Sequence, residues 1–84
     1  MIEQEQEQEA RENEAHIAIR IILSDTKAYK TSLNYAVGYC RCALMQRGED
    51  LKVQCLYILN NITHWRHPKA KDVRATLKAF SRRR

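Results

Sequence analysis

The sequence predicts an all-α fold, a small bundle of three to four helices with a flexible acidic N-terminal leader. Two glycines and one proline in 84 residues leave few points at which a helix must break. Ala, Leu, Glu, Gln, Lys and Arg, which lose least on entering a helix, are abundant. From Ala10 onward the apolar residues recur at spacings of three and four, the period of one helix face. A chain of this length makes one domain and buries only about 60 to 65% of the surface its unfolded form exposes. The core is therefore marginal, and either the helices pack closely or the chain forms a homodimer. Residues 1–9 read as an acidic low-complexity leader, and residues 10–84 as a single helical domain with a basic C-terminal helix and tail.

Residues 3–9 run Glu-Gln-Glu-Gln-Glu-Gln-Glu, a polar tract with no apolar face, so it is either disordered or a solvated helical extension. A first helix is expected from about Ala10 to Leu23, with Glu7 four residues before Arg11 in the favourable order. Ser24, Asp25 and Thr26 are all N-cap types and mark a break. A second helix, about Lys27 to Gln46, carries the stripe Tyr29, Leu33, Ala36, Val37, Cys40 and Leu44, and closes at Arg47-Gly48. Glu49 and Asp50 supply the negative charge that a helix N-terminus favours. The third helix, about Glu49 to His64, turns Leu51, Cys55, Ile58, Leu59 and Ile62 inward, with Leu56 and Tyr57 broadening the stripe. His67-Pro68 forms the next boundary. The fourth helix, Pro68 to about Ser81, faces Val73, Leu77 and Phe80 in and Lys69, Lys71, Arg74 and Lys78 out. Short connections between such helices favour antiparallel neighbours.

A competing reading concerns His16 to Leu23, where Ile17, Ile19, Ile21 and Leu23 alternate as in a strand. A lone strand in a helical chain pairs only with a copy of itself, which is the ribbon-helix-helix arrangement of dimeric DNA binders. Helix-forming residues that lead straight into this segment, and the length of the second helix, argue against it.

Charge is divided along the chain. Residues 1–26 carry seven acids and two bases, net −5, and residues 27–84 carry thirteen bases and three acids, net +10. A block of like charge reports on partners, and here it favours a nucleic acid, DNA or RNA, or an acidic protein surface over a small-molecule substrate. The bases are densest at Arg66, Lys69, Lys71, Arg74, Lys78, Arg82, Arg83 and Arg84, opposed only by Asp72. Lys71, Arg74 and Lys78 lie along one helical stripe that could contact several phosphates together, so that counterion release supplies most of the affinity. With Phe80 facing inward, Trp65 is the nearby aromatic that could stack on a base or anchor an interface, or else cap the core with its indole N–H in water. Tyr35 and Tyr39 lie off the main stripe of the second helix and are further interface candidates. The acidic leader could fold back on the basic stripe, mimic a polyanion, or serve as a solubilising tail.

Other chemistry finds little support. Cys40 and Cys42 stand two apart and point about 200° away from each other on a helix, so they cannot chelate one zinc ion together, and no metal or other cofactor is expected. Neither a glycine-rich phosphate loop nor a cysteine nucleophile with an orienting partner is evident, so no enzymatic activity is expected. With no apolar run of membrane length, an acidic start unlike a signal peptide, and an odd number of cysteines, the reading is a soluble cytoplasmic protein. The leading expectation is a small basic nucleic-acid-binding protein. The alternative is a protein-interaction module that docks on a larger host protein, as an inhibitor or assembly factor in the general style of phage and mobile-element accessory proteins.

Overall fold

The computed structural model describes residues 2–82, with side chains from residue 6 onward. Four α-helices, α1 (Ile2–Ser24), α2 (Ala36–Ala43), α3 (Gly48–Asn60) and α4 (Ala70–Ser81), are joined by turns, and a short 3₁₀ turn at Thr26–Ala28 follows α1. Among the described residues there is no strand. Each helix packs on two neighbours: α1 on α2 and α4, and α3 on α2 and α4, so that α1 and α3 lie on opposite sides of one core. The fold is the expected all-α bundle.

The strand reading of His16 to Leu23 is overturned. In α1 the inward stripe is Glu12, Ala15, His16, Ala18, Ile19 and Ile22, all buried, at helical spacing. Ile17 is 55% exposed, which breaks the alternation that suggested a strand. Of the two readings of the acidic leader, the helical extension is the one seen, because α1 continues through it to Ile2. Its described side chains are mostly exposed, and Arg11 pairs with Glu7 at 3.3 Å, one turn of solvated helix supporting another.

The second helix is shorter than its stripe suggests. Residues 29–35 form consecutive turns, and α2 occupies only Ala36–Ala43, two turns within the expected span. Thr31, Ser32 and Asn34 are residues whose side chains compete locally for backbone groups, and the Leu33 N–H reaches back five residues to the Ala28 carbonyl. Tyr29 belongs to this irregular segment. Its hydroxyl donates to the Leu23 carbonyl at 2.5 Å, and its ring lies under the Arg41 guanidinium. The segment is thus tied to the end of α1 and to α2 without itself being helical.

The third and fourth helices follow their patterns closely. Leu51, Cys55 and Ile58 of α3, Ile62 just beyond it, and Val73, Leu77 and Phe80 of α4 are buried in the same core as Leu33, Ala36 and Cys40. Each large aliphatic side chain so buried contributes about 1.5 to 3 kcal/mol. The helix α3 stops at Asn60, short of His64, where the Asn61 side chain donates to the Tyr57 carbonyl and draws the chain into a turn. Pro68 lies just ahead of α4, and the Lys69 N–H donates to Nδ1 of His67 at 3.0 Å. Among the described residues, no helix is long and apolar enough to cross a membrane.

Candidate functional site

The connection between α3 and α4 is built around Trp65. Its ring is 1% exposed and stacks on His67 at 5.3 Å, and its indole N–H donates to Oδ2 of Asp25 at 2.8 Å. The indole is therefore satisfied by a carboxylate at the end of α1 rather than by water, and the ring is withdrawn from any base or partner. Its carbonyl and that of Ile62 both accept from Nη2 of Arg74, the latter at 2.7 Å. Arg74, one of the bases of the predicted stripe, is half-buried and holds this connection onto α4.

The stripe itself survives on α4. At 100° per residue, Arg74, Lys78, Lys71 and Arg82 fall within a sector of about 80°. Arg74, Lys78 and Arg82 line one side of a groove between α3 and α4, of about 380 Å³, whose other side is Leu56, Leu59, Asn60 and Thr63. Lys78 and Arg82 are exposed, so their charged ends are free to meet a ligand in solvent. Arg74, which enters from the edge nearest the core, adds its charge to the same wall.

The remaining predicted bases are dispersed. Lys71 is exposed one turn before Arg74, and Arg66 is exposed in the connection. Lys69 lies on the opposite groove, between α1 and α4, among Glu14, Asp72 and Ile17, where a polyanion would meet carboxylates. Arg83 and Arg84 lie outside the described residues. Asn60 and Thr63 were not singled out from the sequence, because polar residues at the end of an apolar helix read simply as its stop.

The aromatic candidates separate in the same way. Tyr35 is 76% exposed and Tyr39 stands one turn later on α2, half-exposed. Tyr39 meets Tyr57 of α3 with ring centroids 5.4 Å apart and planes tilted by 39°. Val53, Leu56 and Tyr57 continue this exposed apolar face along α3.

The cysteines belong to packing. Cys40 and Cys55 lie together in the core, and burial pushes each thiol up to about 12 from its ordinary 9.0, with the neighbouring Cys55 adding to the effect on Cys40. A thiol so held is neither a ready nucleophile nor a ready ligand. Cys42 is exposed on the outer side of α2. Among the described residues, no three His, Cys, Asp or Glu side chains converge as a metal site.

Compared with known proteins, the chain shows no match to any family model, to any curated protein or to any solved structure.

Proposed function

We propose that the chain binds the backbone of a nucleic acid along α4, with Lys78 and Arg82 on phosphates and Lys71 extending the contact. Asn60 and Thr63 donate to neighbouring oxygens from the opposite wall. The observation that supports this reading most is the groove between α3 and α4, where three bases from successive turns share one wall and neutral donors face them. Every residue that lines this groove belongs to the acid-poor half of the chain, so long-range attraction acts in the same direction as the local contacts.

The test is fluorescence anisotropy of a labelled oligonucleotide at rising salt. The affinity is expected to fall linearly with log salt. Lys78→Glu with Arg82→Glu is expected to weaken it at least tenfold and to lower the slope by about 0.7 to 0.9 for each phosphate no longer neutralised. Binding that ignores salt, or ignores this double variant, would remove α4 as the site.

The exposed tyrosines Tyr35 and Tyr39 favour a second reading, a protein-interaction module that docks on an acidic surface of a larger protein, with the bases steering the encounter. In that case oligonucleotides do not bind even at low salt.

A further inference from the structure

Among the described residues, five of the seven large hydrophobic side chains that the fold leaves exposed, Tyr35, Tyr39, Val53, Leu56 and Tyr57, lie on one face formed by α2, the residue just ahead of it, and α3. That face is continuous with the basic groove through Leu56, which is 44% exposed and also lines the groove. A path across the molecule therefore runs from the bases of α4, over Leu56, to the contacting rings of Tyr57 and Tyr39. The other large aromatic side chains are used differently. Trp65 is enclosed with its N–H bonded, Phe80 is buried, and the Tyr29 hydroxyl is spent on a backbone carbonyl.

We infer that this face is a stacking platform and that the nucleic acid is single-stranded, its backbone on Lys78 and Arg82 and its unpaired bases on Tyr57 and Tyr39. The inference rests on the phosphate-binding reading and names the class of ligand for the same site. Bases within a duplex have their faces covered by their neighbours, so aromatic rings beside a basic rail gain nothing from a duplex but can stack on the unpaired bases of an open strand. Stacking tolerates any base, which suits a site with few groups able to read base edges.

One feature decides against a second copy of the chain as the occupant. The neighbouring rail is cationic, so the face meets a polyanion more readily than another basic domain. Asp50, in the first turn of α3, adds negative charge at the end of that helix away from Tyr57, which favours phosphates on the α4 side.

The test compares three labelled probes of equal length, about twelve units to match a small single-strand site: oligothymidylate, the same backbone without bases, and a duplex. Oligothymidylate is expected to bind at least tenfold more tightly than the abasic strand. Tyr57→Ala with Tyr39→Ala is expected to erase that preference while the salt slope stays unchanged. Tyr57→Phe with Tyr39→Phe, which keeps the rings, is expected to retain it and controls for any loosening of the fold. Equal binding of the abasic strand, or tighter binding of the duplex, with a steep salt slope preserved, would overturn the platform and leave the phosphate site standing. Absence of binding to all three probes at low salt would overturn both.

Discussion

The carboxylate of Glu12 accepts the backbone N–H of Gly48 at 2.6 Å, joining α1 to the start of α3 across 36 positions of sequence. One turn later on α1, Nε2 of His16 lies within hydrogen-bond distance of the carbonyls of Ala43 and Gln46, at 3.2 and 3.1 Å, so the ring donates to the open end of α2. An anion thus meets the positive end of one helix and a donor meets the negative end of its neighbour, which is the pairing that helix dipoles favour. Two buried polar residues, four apart, fix the α2–α3 connection.

Glu12→Ala is therefore expected to lower the unfolding free energy by about 2 kcal/mol, because a charged acceptor is removed and a partly buried N–H is left without a partner. Arg47 also reaches Glu12, at 3.3 Å, but its side chain is 60% exposed, so Arg47→Ala is expected to cost less than about 0.5 kcal/mol. Urea titration of the two variants checks the contrast. Similar losses would mean that the ion pair, not the backbone bond, is what stabilises the turn.

The two glycines are expected to respond in opposite directions to the same substitution. Gly48 has φ +60°, where a side chain is strained, so Gly48→Ala should cost about 1 kcal/mol although the space around it is open. Gly38 lies within α2, equally open and with ordinary helical geometry, so Gly38→Ala should gain about 0.5 to 1 kcal/mol. Thermal melts that move the same way for both would refute the assignment of left-handed geometry to Gly48 alone.

These residues also show what the sequence could and could not disclose. The stripes Leu51, Cys55, Ile58, Ile62 and Val73, Leu77, Phe80 are buried as their spacing requires, because a uniform apolar face admits one orientation. Tyr29 fitted the stripe of α2 in phase yet sits in a turn, since periodicity is blind to local competition for backbone groups, such as the Thr31 hydroxyl donating to the Ala28 carbonyl. Glu12 and His16 occupied the inward phase of α1, but a charged or polar residue there reads as solvent-facing unless the ends of two other helices are known to meet it. The basic wall of the groove was legible on α4 alone. Its other wall, Asn60 and Thr63, depends on how α3 lies against α4, which is a tertiary fact.

Arg74 and Lys78 are one turn apart on the same wall but are expected to separate stability from binding. Arg74 donates from one nitrogen to the carbonyls of both Ile62 and Trp65, so Arg74→Lys, which keeps the charge and loses the planar fork, should cost about 1 to 2 kcal/mol of stability. Lys78 is exposed, and Lys78→Gln should leave stability within about 0.5 kcal/mol while weakening oligonucleotide binding. Chemical denaturation and anisotropy on the same two variants decide the matter. A stable Arg74→Lys protein with weakened binding would show that Arg74 serves the ligand rather than the connection.

The buried thiols predict a loss of stability in alkali. Cys40 and Cys55 ionise near 12 in the folded chain and near 9.0 when unfolded, because burial disfavours the thiolate. Between those values the folded state holds more protons than the unfolded one, so stability is unaffected below about pH 9 and declines as pH rises toward 12. The urea midpoint should accordingly fall between about pH 9 and 11, and fall less steeply in a Cys40→Ala, Cys55→Ala variant, which lacks the two buried thiols. A thiol reagent at about pH 8 should modify Cys42 at once and the other two only as the chain unfolds. Three thiols reacting together, or equal alkaline slopes in the two proteins, would place Cys40 and Cys55 in contact with solvent and contradict the core in which α2 and α3 meet.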